Sequence, residues 1–310
     1  MAIYLTNDDV LKLLPIGEAV EVLDDLFKQE AQGLVENVAR IRRKFEGGGS
    51  ATLMGGSVLG SKAYGVRNQV LSTLFNSETG AVEALLEPSA VAWIRTGAAS
   101  GLATKYMAKE GASTVGVVGT GRQAITQLEA ICAVRPIRSI KTYSRSQDRR
   151  EQFARQMSDL LGVKATSVNS PEECLRGSEI VVAITNSAVP VFDGNQLEPG
   201  THVNAAGANS YARCEVDEAT IVRSSLVVVD NLAQAQTECG ELMAAAVRGV
   251  FRWGQAIELH QVVGGEVNGR PSVDGITLFE SQGIGIEDVA CYAYVVKKAH
   301  EQGIGQELPF

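Results

Sequence analysis

Four groups of residues in this chain are of types, and at spacings, that do chemistry. The first is Gly119-Thr120-Gly121-Arg122-Gln123-Ala124, a GxGxxA pattern between the β-branched run Val115 to Val118 and the helical run Ile125 to Val134. In a strand, glycine turn, helix unit the first glycine permits the tight turn and the second lets backbone approach a pyrophosphate. The small third residue lets the helix sit on the strand. Amides at the helix start then hold the phosphates. A bare pattern of this kind is weak, and the flanking strand and helix are its confirming context. Ser144-Arg145-Ser146, the second group, closes the next strand, Ser139 to Tyr143, where a ribose-binding carboxylate normally stands. No carboxylate is there. A cation between two hydroxyls suits a 2′-phosphate, so NADP(H) is the cofactor expected and NAD(H) the alternative; a plain loop arginine is the other reading.

The third group is cationic: Arg40, Arg42, Arg43 and Lys62, followed by Arg95 next to Thr96. Taken singly, each of the first four reads as a solvated charge on an exposed sheet face. Arg95 with Thr96 opens a stretch rich in small residues, which serves helix packing or holds a phosphate or carboxylate. The fourth is Asp230, closing the apolar run Leu226 to Val229. Its first reading is an N-cap for the helix that follows. Thr185 closes the apolar run Glu179 to Thr185, and Ser281 opens the glycine turn Ser281-Gln-Gly283-Ile-Gly285. With Thr96 and Asp230 they join the expected cofactor contacts, because ligands meet the carboxyl edge of a parallel sheet.

These residues need an alternating α/β frame. Thr6 to Asp9 forms a cap cluster ahead of a short helix closed by Pro15, and Ile16, Ala19, Val20, Leu23, Leu26 and Phe27 recur at helical spacing until Gly33. From Val35 to Leu86 the period changes to short β runs separated by Gly47-Gly-Gly49 and Glu78-Thr-Gly80, a meandering antiparallel sheet. Ala90 to Lys109 reads as a helix. From Val115 onward strands and helices alternate: Ser139 to Tyr143, Gln147 to Leu161, Lys164 to Thr166, Pro171 to Arg176, Glu179 to Thr185, Thr201 to Ala205 and Leu226 to Asp230. That is a parallel sheet wound with helices. A last helix opens at Ile286 and ends near Gly303.

At 310 residues the chain suits two domains, and 45% hydrophobic content is ample for two cores. A net charge of -8 argues against nucleic acid or an anionic membrane as partner. No apolar run is long enough to span a bilayer, and the N-terminus lacks a basic region followed by a hydrophobic one, so a cytoplasmic location is expected. The five cysteines are odd in number and lack a CxxC pair, and the three histidines have no ligand spacing; reduced cysteines, packing or surface histidines and no metal are expected.

Four segments together resemble the ornithine cyclodeaminase/μ-crystallin family: Arg95-Thr-Gly-Ala-Ala-Ser100, Val118 to Gln123, Val228-Val-Asp230 with Gly240-Glu-Leu242, and Ser281 to Asp288. The resemblance spans nearly the whole chain. It implies a Rossmann-type doubly wound parallel sheet, residues 109–290, inserted in a second α+β domain, residues 1–108 with 291–310, that carries substrate groups and the interface of a homodimer. It also implies that Arg40, Lys62 and Arg95 grip a substrate α-carboxylate, with Arg42 the alternate to Arg40. Asp230 would handle protons beside the reacting carbon, and Lys62, held near the other cations and partly buried, would be a second catalytic group that exchanges protons. Ornithine-specific members carry a Glu before the Leu-Met pair where Thr52 precedes Leu53-Met54, and Gly55-Gly56 replaces the usual Pro-Ala. The reaction implied is therefore NAD(P)H-dependent reduction of a small α-imino (ketimine) or α-keto acid to an L-amino acid, or its reverse. Ornithine cyclodeamination is the alternative, and non-catalytic ligand binding of the μ-crystallin type a third.

Overall fold

The computed structural model describes residues 2–309, which divide into two compact units. Unit 1 comprises residues 1–95 and 283–310, and unit 2 residues 96–282. Both divisions come earlier than the predicted 108/109 and 290/291. The first falls inside one helix rather than at its end.

Unit 1 opens with strand β1 (Ile3–Leu5) and helix α1 (Asn7–Leu13). Thr6 caps α1 reciprocally: its Oγ1 accepts from the Asp9 amide while Asp9 accepts from the Thr6 amide at 3.0 Å. Helix α2 (Ile16–Ala31) buries Ala19, Val20, Leu23, Leu26 and Phe27, the face its periodicity predicts. Strands β2 (Val35–Lys44), β3 (Ser50–Val58), β4 (Ala63–Arg67), β5 (Ser72–Asn76) and β6 (Val82–Leu86) form the expected antiparallel meander. β1 adds in parallel to β6, and Gln306–Glu307 then pairs with β1. The C-terminal helix Gly285–Gln302 packs on this sheet and on α2, with every residue from Gly285 to Tyr292 buried.

Helix α3 (Ser89–Met107) is apolar on all sides, the pattern of a buried helix. Its second half belongs to unit 2, where Gly97 lies against helix α4 (Arg122–Val134) so closely that a Cβ would stand 2.4 Å from the Thr126 carbonyl oxygen. The small residues there serve backbone approach.

The sheet of unit 2 is parallel throughout. Its strands are β7 (Thr114–Val118), β8 (Ser139–Tyr143), β9 (Lys164–Ser167), β10 (Ile180–Ala183), β11 (His202–Ala205), β12 (Ser224–Val229), β13 (Ala256–Glu258) and β14 (Ile276–Glu280). Their spatial order is β13-β12-β14-β11-β10-β7-β8-β9, so the winding reverses between β7 and β10, beside the glycine turn. β10, β11 and β14 are buried at every position, as strands covered on both faces must be. β13 and β14 were not read from the sequence as strands. Helix α5 (Gln147–Leu161) follows β8. One histidine is deeply buried: His202 bonds Thr277 Oγ1 at 2.9 Å and Asn204 Oδ1 at 3.3 Å, and Asn204 reaches Thr104 of α3 at 3.0 Å. Burial pushes its pKa down to about 3, which keeps it a neutral polar link.

The tight seat of α3 on α4 predicts that Gly97→Ala lowers the melting temperature by several degrees, because overpacking of this kind costs about 1–3 kcal/mol. Gly111→Ala, where nothing lies within 4 Å of the added carbon, is the control and should melt like the wild type. Calorimetry of the two variants compares them directly.

Candidate active site

In unit 2 the turn after β7 has the geometry its sequence requires. Gly119 sits at φ +114°, and a Cβ on it would lie 2.2 Å from the Ile184 carbonyl oxygen, so the chain can turn there only as glycine. Gly121 is the N-cap of α4, makes no side-chain cap bond, and has nothing within 4 Å of where a Cβ would stand. The first-turn amides of a 13-residue helix therefore begin without a side-chain cap, beside open space at the switch point of a parallel sheet. These features fit a dinucleotide pyrophosphate. Thr120, Arg122 and Gln123 lie in the same turn. Ser144 and Ser146 are engaged locally: Ser144 Oγ donates to the Ser146 carbonyl at 3.2 Å, and Ser146 caps α5. Arg145 between them is exposed, while Arg150 is the buried arginine, bonded to the Ser144 carbonyl and to Asn169. Thr96 is buried, and its carbonyl accepts from Gln127 at 3.1 Å.

Asp230 does not cap the following helix. That task falls to Asn231, whose Oδ1 accepts the Gln234 amide at 3.0 Å. Asp230 is fully buried just past the end of β12. Its Oδ2 accepts the Gln282 amide at 2.8 Å and faces Ser281 Oγ at 3.5 Å, and its Oδ1 accepts the Asn231 amide at 2.9 Å. A carboxylate fixed by backbone donors at the carboxyl edge is oriented for proton chemistry. Thr185 is likewise fixed, its hydroxyl donating to Glu215 at 2.6 Å. Glu215, on the loop after β11, had no sequence signal.

In unit 1, Arg40 and Arg95 reach one turn, while Lys62 does not. Arg40 Nη2 donates to the Gly283 carbonyl at 2.6 Å, and its Nε points to the Met54 sulfur at 3.2 Å. A bulge produces this aim. The β2–β3 register pairs Val38 with Gly55 but Ile41 with Leu53, so β2 carries one extra residue, which turns Arg40 to the face from which Asn37 holds the Gly285 amide. Arg42, the alternate, is exposed. Arg95 is 6% exposed and pairs with Glu287 at 2.9 Å and Asp288 at 3.5 Å.

Lys62 requires a correction. Met54 pairs with Arg67 and Val58 with Ala63, so Lys62 lies past the far end of the β3–β4 ladder, about 16 Å along the strand from Arg67. Its side chain is 62% exposed and pairs with Glu78 at 3.0 Å. The partly buried, cation-crowded setting expected of it is absent. Arg67 stands there instead, 3.6 Å from the Met54 sulfur and 3.7 Å from Asp288. The sequence signal existed, since Arg67 closes a β run, but the strand register that brings it opposite Met54 is not visible in one chain.

A doubly wound parallel sheet with an open glycine turn at its switch point, and a second unit gathering three arginines, define a dinucleotide-dependent enzyme fold of the Rossmann class. The chain belongs to the ornithine cyclodeaminase/mu-crystallin family, which it matches over residues 2–303. It is 37% identical over 239 residues to a Delta(1)-pyrroline-2-carboxylate reductase of Bacillus cereus, covering 76% of this chain and 73% of that protein. Among solved structures, the Delta(1)-pyrroline-2-carboxylate reductase of Thermococcus litoralis, in complex with NADH and L-proline, superposes with a TM-score of 0.93 at 32% identity over 99% of this chain and 100% of that one. An archaeal alanine dehydrogenase dimer with bound NAD gives 0.92 at 30% identity over 100% and 99%. Among the described residues no helix is long and apolar enough to cross a membrane.

Adjacent residues with separate tasks predict separate phenotypes. Asn231→Ala should cost about 1 kcal/mol of stability through the lost cap and leave turnover nearly intact. Asp230→Asn should lower turnover by roughly 10²-fold or more. It also sets an amide NH2 toward a backbone donor, so a modest fall in melting temperature accompanies it. Melting curves and kcat for both variants check the division.

Proposed function

We propose that this chain is an NAD(P)-dependent oxidoreductase that reduces a small α-imino (ketimine) or α-keto acid to an L-amino acid, or catalyses the reverse dehydrogenation. The observation that carries the reading is the gathering of Arg40, Arg67 and Arg95 in unit 1 of a chain whose unit 2 has the dinucleotide turn. A planar guanidinium fork matches a carboxylate with two parallel hydrogen bonds, so this cluster suits an α-carboxylate. Arg95 is held in place by Glu287 and Asp288, and Arg67 by Asp288, so both forks are oriented before a ligand arrives. The relatives named for pyrroline-2-carboxylate reduction and alanine dehydrogenation act on acids of this class, which supports the same class here.

The nicotinamide supplies or accepts the hydride. The Gly119 to Gln123 turn holds the pyrophosphate, and Thr96, Thr185 and Ser281 supply further cofactor contacts. Asp230, oriented by the Gln282 and Asn231 amides, exchanges the proton that accompanies the hydride. NADPH is the preferred donor because Arg145 is exposed at the end of β8 with no carboxylate before Asp148. The solved relatives hold NADH and NAD, so the preference rests on Arg145 alone. The working form is a cytoplasmic homodimer, as the archaeal alanine dehydrogenase is a dimer.

A screen of cyclic imino acids, and of keto acids with ammonium, using both cofactors tests the reading: nicotinamide oxidation should follow addition of at least one such acid and not of its decarboxylated analogue. Within that assay, Arg67→Ala should lower kcat/KM by roughly 30-fold or more, since truncating one partner of a buried charge pair costs about 2–5 kcal/mol. Lys62→Ala should stay near wild type, and the reverse ranking would restore Lys62 to the grip. Arg145→Ala should raise KM for NADPH far more than for NADH, because only the 2′-phosphate meets that guanidinium; an equal loss with both would remove the NADPH preference.

A further inference from the structure

Beneath the carboxyl edge of the unit 2 sheet lies a chain of buried glutamates that the proposed reaction does not use. Glu215, fully buried, accepts the Thr185 amide, the Thr185 hydroxyl at 2.6 Å and the Gly207 amide at 2.5 Å. One carboxylate thus ties together the turns that follow β10 and β11. The Glu215 amide in turn donates to Glu241 Oε1 at 3.2 Å, at the start of the helix Gly240–Val247. Glu241 lies beside Glu280 at the end of β14, where the thiol of Cys239 donates to Glu280 Oε2 at 3.5 Å. The ligand-type atoms of Cys239, Glu241 and Glu280 all lie within 4.8 Å of one another, and all three side chains are buried.

The charges that face this chain are acidic on every side. Glu215, with Cys214 and Asp217, comes from the loop after β11, Asp230 from the end of β12, and Cys239 with Glu241 from the helix start. The nearby cations are engaged elsewhere: Arg213 donates to the Gly207 carbonyl and Asn209, and Arg248 pairs with Glu218. Glu241 Oε2 and Glu280 Oε1 are buried without a hydrogen-bond partner. Two ionised carboxylates within 4.8 Å of each other in a dry interior repel strongly, and a proton on either one removes that repulsion.

We propose that the Glu215–Glu241–Glu280 chain is a proton-loaded latch: while the Glu241 and Glu280 pair holds a proton it fixes the Thr185 and Gly207 turns for the dinucleotide, and loss of that proton loosens cofactor binding. Glu215 is a positioning residue in this scheme, acting through Thr185 and Gly207. The inference rests on the reading of unit 2 as the cofactor unit. Burial raises Glu241 to about 7 and, with Glu241, Glu215 and Asp230 adding to it, raises Glu280 well above the usual carboxylate range. A raised folded-state pKa means that the native state holds a proton the unfolded chain gives up. The stability that this pair contributes is therefore fully present at low pH and is lost as pH rises through neutrality. A cavity of ≈ 600 Å³ is lined by Cys214 and Glu241.

The test is a fluorescence titration of the full chain with NADPH and NADH from about pH 6 to about pH 9. Wild-type Kd should rise about tenfold across that range, the scale of one weakened charge-assisted hydrogen bond. In the double variant Glu241→Gln/Glu280→Gln, which leaves the pair no proton to lose, that dependence should flatten, and Glu215→Gln should weaken binding at every pH because its NH2 faces backbone donors. An unchanged slope in Glu241→Gln/Glu280→Gln overturns the latch, as does a stoichiometric metal ion found by elemental analysis, which would occupy the carboxylates in the proton's place. Melting temperatures without cofactor give an independent arm: the wild type should lose stability toward alkaline pH more steeply than Glu241→Gln/Glu280→Gln, and equal slopes contradict the latch. If the wild type binds no dinucleotide at any pH, the assignment of unit 2 fails, and the melting arm still decides the latch.

Discussion

The close passage of Gly119 under the Ile184 carbonyl is the constraint on which the rest of unit 2 depends. With no room for a Cβ at 2.2 Å, the chain leaves β7 at φ +114° and enters α4 at once. That turn fixes where the uncapped amides of α4 begin, at the point between β7 and β10 where the strand order reverses. The same tightness recurs one layer out, where Gly97 of α3 meets the backbone of α4. A glycine in the turn and another in the neighbouring helix thus set the height of α4 over the sheet, and with it the position of any phosphate its amides hold.

The two units handle buried acids in opposite ways. In unit 1, Glu287 and Asp288 are buried against Arg95 and Arg67, an arrangement in which removing one partner costs about 3–5 kcal/mol because the other is left charged and dry. The acids there keep guanidiniums oriented. In unit 2, Glu215, Glu241 and Glu280 are buried mainly against backbone amides, a thiol and one another, so a proton, or donors from the main chain, must do what arginine does in unit 1. Asp230 resembles the second group in accepting from backbone amides, those of Gln282 and Asn231, and in facing the Ser281 hydroxyl.

Much of the frame was legible because its signals are local. Periodicity placed α2 and the antiparallel meander within a few residues, and the β7–α4 turn needed only its glycines and flanking apolar runs. What was missed depends on register or on distant packing. Lys62 and Arg67 lie five residues apart on the same hairpin, and only the pairing of Arg67 with Met54 tells which is near Arg40. The bulge that aims Arg40 leaves no mark in the alternation of Val38 to Lys44, since several of those residues are exposed on either face. Asp230 and Asn231 are both good caps by type, and backbone geometry alone assigns the task to Asn231. Glu215 is a single acid in a loop, and its importance comes from Thr185 and Gly207, distant enough in sequence that no spacing rule connects them.

The central claim is that hydride passes between a nicotinamide and the α-carbon of an amino acid with net change in the cofactor. Mass spectrometry of the product after reaction of the imino acid with NAD(P)H carrying deuterium at both C4 positions measures this most directly. The account predicts an L-amino acid carrying one deuterium at the α-carbon and an equal amount of oxidised cofactor. Product without label, or formed with no net oxidation of the cofactor, would contradict it.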